Sequence, residues 1–377
     1  MTGRERLLTV LKGGIPDCVP VAPDFSNMIP ARLTGKPFWD LYLYNDPPIW
    51  EAYIDCAKRF DIDSLMDGYF PLTFPGEWGE EGGKERFIVG RTTERITVQS
   101  SRVRKGQRAW DPFVDVYPVA DPPTMDVPVG RLRLPQVPEK FEPLAGVKSV
   151  DTGPQGLRKV MEKMGDQGLV GVYLASSGVL GSDDALLDYH ENPGKYEGVA
   201  ERRVEAVERR FDQVMKSGVL PDFFTVGGSG TLIFQTVAIF RKLAFPAVKR
   251  AIELATAAGM PTHVHSCGPE KELVRIMAEE TNLTVIDPLE VPPMGDCDLA
   301  ELKARFGERI VLKGNLHTTR VMLKGGVGGV VAASKKAIDE AASGGRFILS
   351  TGDQCGRDTP DANIRAMIDA AEEFGRY

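Results

Sequence analysis

The chain has 377 residues, of which 42% are hydrophobic and 26% are charged, a composition typical of ordinary soluble globular proteins. Its formal net charge is -7, and no cluster of lysine and arginine indicates a nucleic-acid-binding face. No run of 18 apolar residues and no signal-peptide pattern occurs, so we expect a cytoplasmic protein without a membrane span. Five scattered cysteines favour reduced thiols over a disulfide framework.

The N-terminal segment predicts a helix followed by two strands. Thr2 and Glu5 have the spacing of a capping box, so a short amphipathic helix should begin there. Short apolar stretches near residues 20 and 64 predict the first two strands, with a helical pattern between them.

Residues 70–145 break this pattern. The alternating stretch 94–101 predicts an antiparallel strand, with residues 87–89 as its hairpin partner. Eight prolines between Pro112 and Pro143 are too many for a helix or a central strand. We interpret 70–145 as an inserted excursion. Its aromatic residues line a substrate site or pack in a small core of their own: Phe70, Phe74, Trp78 and Trp110.

From residue 168 onward, apolar runs alternate with helical patterns. The first of these runs, 168–175, is continuously apolar, as expected for a strand buried on both faces of a parallel sheet. Together with the two N-terminal candidates there are eight predicted strands, centred near residues 20, 64, 171, 224, 263, 286, 311 and 348. This alternation predicts an α/β fold, a (β/α)8 TIM barrel formed by residues 1–377 as one domain.

Chemically useful side chains fall at the ends of consecutive predicted strands. His265 and Cys267 end the fifth, Glu290 the sixth and Asn315 the seventh, and Cys355 follows the eighth. The active sites of such barrels lie at these carboxyl ends. Side chains two apart on a strand share a face and are about 7 Å apart. One imidazole and two thiolates, with a free fourth position, form a catalytic zinc set. We therefore predict that His265, Cys267 and Cys355 bind zinc.

Other interpretations of these ligands stay open. His265 could be a buried, hydrogen-bonded histidine, and the two cysteines could be small core residues. His263 shares the strand face of His265 and is an alternative ligand. Cys297, in a polar loop that looks exposed, is a weaker ligand candidate.

Three further residues are candidate catalytic residues: Glu290, Asn315 and His317. Glu290 could complete the coordination of the metal, donate a proton, or serve only as a structural hydrogen-bond acceptor. His317 lies close to the same predicted mouth, where it could contact substrate or solvent.

The order of the motifs resembles the uroporphyrinogen decarboxylase superfamily over nearly the whole chain, least over 70–145. The matching segments are Arg4–Leu11, His265–Gly268, Glu290–Asp296, Lys313–Asn315 and Ser350–Asn363. The His-x-Cys…Cys set is similar to that of the zinc-dependent cobamide methyltransferases in this superfamily. Decarboxylases carry an arginine-rich N-terminal loop. The corresponding stretch 24–31 has no arginine, which argues against porphyrinogen chemistry.

Within that branch, Asp353 and Gln354 precede Cys355. This sequence is more similar to that of the substrate methyltransferase of corrinoid-dependent O-demethylases than to the compact Gly-Cys-Gly of the coenzyme M enzymes. The resemblance implies cleavage of a methoxylated, aromatic substrate and transfer of the methyl group to a Co(I) corrinoid. That corrinoid would come in trans from a partner protein, because the chain contains no Asp-x-His-x-x-Gly pattern. A coenzyme M type thiol methyltransferase and a metal-free decarboxylase-like barrel remain alternatives, and a homodimer is left open.

Overall fold

The computed structural model describes residues 1–66, 70–75, 84–104, 106–120, 131–133, 137–233 and 235–377. Thirteen α-helices lie in these ranges: α1 (Gly3–Leu11), α2 (Met28–Leu33), α3 (Phe38–Tyr42), α4 (Ile49–Phe60), α5 (Pro154–Met164), α6 (Asp183–Glu191), α7 (Val199–Lys216), α8 (Val237–Leu243), α9 (Phe245–Ala257), α10 (Lys271–Glu280), α11 (Leu299–Phe306), α12 (Gly326–Ala341) and α13 (Asp361–Phe374).

The described strands form two sheets. They are β1 (Ser64–Met66), β2 (Lys84–Arg91), β3 (Arg95–Arg104), β4 (Gln107–Pro118), β5 (Arg131–Arg133), β6 (Glu142–Pro143), β7 (Gly168–Tyr173), β8 (Phe223–Thr225), β9 (Thr262–His265), β10 (Val285–Asp287), β11 (Val311–Leu316) and β12 (Phe347–Thr351).

A parallel seven-stranded sheet forms the centre of the fold, in the order β1-β7-β8-β9-β10-β11-β12. Seven of the eight predicted barrel strands are therefore present, in chain order. The predicted strand near residue 20 is an extended segment that makes one parallel bridge, Val21 to Leu349. Its backbone bonds join it to β12: Ala22 N–H donates to Leu349 O (3.0 Å), and Leu349 N–H donates to Pro20 O (2.9 Å).

Helix α1 packs against one end of the parallel sheet. The predicted capping box is confirmed, since the Thr2 side chain and the Glu5 side chain each accept from the other's backbone N–H. The buried face of α1 packs on apolar side chains from six strands, and these residues form a core separate from the main one: Leu7, Val10, Leu11, Leu65, Leu169, Phe223, Val285, Val311 and Ile348. Alternate strand residues, such as Val170 and Leu312, belong to the larger core shared with the helices, as the two-residue period of a strand requires.

The region between β1 and α5 contributes a five-stranded antiparallel sheet, in the order β5-β4-β3-β2-β6. The predicted hairpin is confirmed by the pairing of β2 with β3. The prediction that prolines exclude a central strand here is wrong for Pro112, because β4 pairs with both β3 and β5. Pro112 lies opposite a register shift between Gln99 and Ser101, and such a bulge accommodates a residue that cannot donate a ladder hydrogen bond.

The aromatic residues of this region have different surroundings. Phe70 is buried in the main core, and Phe74 packs against it. Trp110 stacks edge-on with Phe87 and Phe141 at centroid distances of 5.2 and 4.9 Å. Trp78 lies outside the described residues. Trp110 therefore belongs to a local aromatic cluster of the antiparallel sheet.

No helix in the described part of the chain has both the length and the apolar character needed to cross a bilayer.

We predict that Leu7→Ala lowers the free energy of unfolding by about 2–5 kcal/mol, because it removes a fully buried side chain from a packed interface. Chemical denaturation of the variant and the parent measures the difference. Leu187→Ala on α6 is the matched control, since Leu187 is 58% exposed and its truncation should change stability little. Equal effects of the two substitutions would contradict the packing role of α1.

Candidate metal centre

A buried carboxylate at the end of β10 organises the polar interior. His263 Nε2 and His265 Nδ1 each lie 3.0 Å from Asp287 Oδ1, and the Lys313 ammonium forms an ion pair with Asp287 Oδ2. Burial raises the pKa of Asp287, but the charges of Lys313, His263 and His265 outweigh it and hold that pKa well below its usual value. An ionised carboxylate only accepts, so both ring nitrogens donate to it.

These contacts decide which histidine can bind a metal. The His263 side chain is 1% exposed. Its Nε2 is bound to Asp287, and its Nδ1 faces Thr225 Oγ1 at 3.5 Å. Both ring nitrogens of His263 therefore face protein groups, and neither is available to a metal ion. His265 uses only Nδ1 for Asp287, and its Nε2 is buried without a hydrogen-bond partner.

Two carboxylates face the free nitrogen of His265. Asp353 Oδ1 lies 3.6 Å from His265 Nε2 and is itself buried without a hydrogen-bond partner. Ligand atoms of Asp24, His265 and Asp353 all lie within 4.8 Å of one another, close enough for one cation to touch all three. Histidine ligands of metals commonly donate their second nitrogen to a carboxylate, as His265 does to Asp287. The unsatisfied atoms thus fit a metal ion.

The two predicted cysteine ligands border this group. Cys267 is partly buried, and its thiol is one of the groups that raise the pKa of His265. Cys355 is fully buried, its backbone N–H donates to Asp24 O at 2.8 Å, and burial raises the pKa of its thiol to about 12. Among the described residues, the sulfurs of Cys267 and Cys355 do not join His265 in one group at ligand spacing; Asp24 and Asp353 do.

Protonation of the site follows from its burial. Burial raises the pKa of Asp353 to about 6, and it also raises the pKa of Asp24. For His265, burial lowers the pKa, but the charge and hydrogen bond of Asp287 and the nearby Cys267 thiol raise it well above the usual value. Without a cation, His265 therefore retains its second proton and Asp353 takes one up below about pH 6, and binding of a metal would release such protons.

Glu290 and Asn315 lie at the adjacent strand ends. Glu290 is 5% exposed, and its Oε2 accepts from Gly268 N–H at 2.5 Å. Asn315 Nδ2 donates to Leu289 O at 3.1 Å, and Glu270 Oε2 accepts from Leu289 N–H at 2.9 Å. Leu289 has a φ of 60°, a conformation that non-glycine residues rarely adopt. Asn315 and Glu270 therefore hold the loop that carries Glu290.

His317 contacts the backbone of a helical turn, and Cys297 packs in the apolar core. His317 caps a π-helical turn, Thr318–Leu323; its Nδ1 accepts from the N–H groups of Thr319 and Arg320 at 3.2 and 3.3 Å. Burial and the nearby Arg320 charge lower its pKa. The expectation that Cys297 is exposed is wrong: its side chain is 3% exposed and packs in the main apolar core, although Met294, Asp296 and Asp298 of the same loop are exposed.

Hydroxyl groups join the loops that follow three neighbouring strands. Gly228 N–H donates to Ser177 Oγ at 2.8 Å, and the Ser177 and Thr231 hydroxyls are 2.5 Å apart. Thr231 N–H in turn donates to Ser266 Oγ at 3.3 Å. Ser266 lies between His265 and Cys267, so the loops after β7 and β8 are tied to the metal-site loop after β9.

Sequence reasoning did not assign a role to four residues of this site: Asp24, Asp287, Lys313 and Asp353. Asp24 and Asp353 each follow an extended segment, at 19–23 and 347–351, where barrel strands end. Their position at the carboxyl end of an extended segment could have revealed them, since the same position pointed to His265 and Glu290.

The fold and the site define a class: a parallel α/β protein with a buried polar centre at the carboxyl ends of its strands. Residues 173–374, more than half of the chain, match the uroporphyrinogen decarboxylase (URO-D) family. The chain therefore belongs to the uroporphyrinogen decarboxylase family. The matched part includes His265, Glu290 and Asp353, whereas Asp24 precedes it.

One solved structure shows similarity at the level of the fold. A methyltransferase from Methanosarcina mazei aligns over 99% of each chain with 19% sequence identity and a TM-score of 0.58. An uncharacterised protein from Parabacteroides distasonis aligns over 64% of this chain and 83% of its own, with 13% identity and a TM-score of 0.34. Comparison with curated protein sequences gives no significant match.

We predict that Lys313→Met destabilises the protein by about 3–5 kcal/mol, because it leaves the buried Asp287 carboxylate without its ammonium partner. Urea denaturation measures the change. Lys216→Met is the matched control: Lys216 pairs with Asp212 at the surface with 78% of its side chain exposed, and its loss should be too small to resolve. Similar denaturation midpoints for both variants would show that the buried ion pair does not support the fold.

Proposed function

We propose that this protein is a zinc-dependent methyltransferase. It would cleave an aromatic methyl ether and pass the methyl group to the Co(I) corrinoid of a partner protein. The observation that carries the proposal is the buried, unsatisfied Nε2 of His265, which faces two carboxylates and adjoins Cys267. Membership of the URO-D family and the fold of the Methanosarcina mazei methyltransferase support it.

The chain offers a donor set suited to zinc. His265 Nε2 with the thiolates of Cys267 and Cys355 would bind the ion, which requires the two sulfurs to close on a position now faced at ligand spacing by Asp24 and Asp353. Imidazole and thiolate are the ligands that zinc prefers in proteins. Asp287 would keep the His265 ring in one orientation and tautomer through its bond to Nδ1. When bound, zinc would supply a Lewis acid for the ether oxygen.

The chain's own groups would manage the leaving group and the access of water. Departure of a phenolate builds negative charge on oxygen, and a nearby carboxylic acid can neutralise it by donating a proton. Glu290 is the candidate donor, held by Gly268 N–H on one oxygen. Asn315 would position the Glu290 loop through Leu289 O. His317, on the turn that follows β11, is the candidate for contact with the substrate at the rim.

The remaining parts of the proposal concern architecture and partner. The segment 19–22 would complete a (β/α)8 barrel as its first strand, since it already bonds to β12, the last one. The corrinoid would arrive on a separate protein, because the sequence lacks an Asp-x-His-x-x-Gly motif.

Metal analysis of the purified protein tests the first step. We expect about one zinc per chain, retained on dialysis and lost in Cys267→Ala, because a three-ligand site does not survive removal of a thiolate. Cys18→Ala is the matched control: Cys18 is also partly buried, but its thiol donates to Ala371 O and not to a residue of the metal centre. Zinc content that is unaffected by Cys267→Ala would exclude this residue as a ligand.

The same preparations then decide the reaction. The zinc protein, a Co(I) corrinoid protein and a panel of methoxyarenes should give the absorbance spectrum of methyl-Co(III), and chelation or Cys267→Ala should abolish it. Methylation of a thiol from methyl-Co(III), without reaction of any ether, would instead establish the thiol methyltransferase. A protein with neither zinc nor methyl transfer would point to the metal-free barrel.

We further predict that Glu290→Gln lowers kcat by about 10²-fold or more, as expected on loss of a general acid, while zinc content is unchanged. Glutamine can still accept from Gly268 N–H, so the loop should keep its position. Single-turnover methyl transfer and metal analysis on the same sample separate the alternatives. Loss of zinc would make Glu290 a ligand, and unchanged kcat would leave it only a hydrogen-bond acceptor.

A further inference from the structure

A cavity of about 550 Å³ lies between α7 and the loop that follows β7. It contains none of the metal-centre residues. Its charged lining consists of Arg203, Arg209 and Arg210, and no carboxylate lines it among the residues that the structure describes. Three arginines around one cavity form a local positive site, in which Glu205, 3.7 Å from Arg209, offsets part of the charge.

Arg203 lines this cavity and does not use all of its hydrogen-bonding groups. One of its Nη groups donates to Ser176 O, whereas its Nε is buried without a hydrogen-bond partner. Within the described ranges no carboxylate forms an ion pair with Arg203. Burial accordingly lowers its pKa, with no acidic neighbour to compensate. A half-buried guanidinium without a counter-charge is costly, and a bound anion would relieve that cost.

Arg210 is held rigidly on the same face of α7, two turns further on. Its Nε donates to Tyr173 O at 2.8 Å, and an Nη group donates to Leu72 O at 2.7 Å. Both of these contacts are to backbone carbonyl groups. Backbone contacts thus fix two guanidinium groups at the carboxyl end of β7 before any ligand arrives.

The rest of the lining sets the size and character of the ligand. Leu174, Val207 and Ala247 contribute apolar walls, and Gln213 contributes an amide. The volume falls within the range of about 300–1,000 Å³ typical of small-molecule sites. A guanidinium group binds the oxygens of a carboxylate or a phosphate in a fixed fork. This combination suits an anionic head on an apolar body.

We propose that this cavity is a second ligand site, separate from the metal centre, that binds a small organic oxyanion with Arg203 as its main contact. The ligand would be an aromatic or aliphatic carboxylate or phosphate ester. Its head would accept from the Arg203 guanidinium, through the Nη group that Ser176 O does not occupy, and its body would lie against Leu174 and Val207.

Calorimetric titration of the full-length protein tests this with three probes that share one ring: benzoate, phenyl phosphate and benzyl alcohol. We expect saturable binding of at least one anion and none of the neutral alcohol, and the tighter anion identifies the preferred head group. Arg203→Gln should weaken that binding at least tenfold. Arg202→Gln is the matched control, since exposed Arg202 neighbours Arg203 on α7 but does not line the cavity.

A second variant protects the test against misfolding of Arg203→Gln. Ala206→Phe adds a ring at the cavity lining without removing an arginine, so it should also abolish binding. His265→Ala, which alters only the metal centre, should retain binding. Failure of both anions to saturate at about 10 mM, or equal affinity in the parent, Arg203→Gln and Ala206→Phe, would overturn the proposal. Neither outcome would bear on zinc or methyl transfer.

Discussion

The buried carboxylate of Asp287 is the contact on which the geometry of the site depends. It accepts from two histidines of β9 and pairs with Lys313 of β11, so one side chain fixes three adjacent strands. A charge at this depth is tolerated only when it is paired and fully hydrogen-bonded. With Nδ1 of His265 committed to Asp287, the ring must present Nε2 to Asp24 and Asp353. The direction of the free nitrogen is therefore a consequence of charge burial.

The strands separate stability from chemistry along their length. At one end, α1 covers apolar side chains of six strands and forms an apolar core. At the other end, two of these strands, β10 and β11, and the neighbouring β9 carry Asp287, Asn315 and His265, which are polar and mostly hydrogen-bonded to one another or to loops. Because the apolar packing and the polar site lie at opposite ends of the strands, the loops of the polar end can vary without loss of the apolar packing.

Much of the fold was predictable from sequence, because its main strands are buried on both faces and read as continuous apolar runs. Strand β7 illustrates this, because five of its six residues are buried. The β2–β3 hairpin was visible from alternation alone. Pro112 was misjudged because a bulge can place proline within a central strand, and bulges leave little trace in a single sequence. The segment near residue 20 makes one bridge only, a distinction that apolar patterning does not contain.

The site was predictable in part for a similar reason. His265 and Glu290 follow apolar strands directly, so their place at the carboxyl end was evident. Asp24 and Asp353 also follow extended segments, but their approach to His265 depends on how β12 and segment 19–22 lie beside each other, which is a long-range contact. The Cys297 side chain points into the apolar core from a loop whose neighbouring residues are exposed. Local composition describes the loop correctly but does not show which way one side chain points.

The hydroxyl contacts that run from Ser177 through Thr231 to Ser266 have a bearing on evolution and on redesign. Replacement of any one of these three loops leaves a donor or an acceptor of its neighbour unmatched. Grafting a loop from a relative would therefore require all three loops to be exchanged together. Recombination at this rim should succeed in blocks that respect those hydroxyls, and fail where a crossover point divides them.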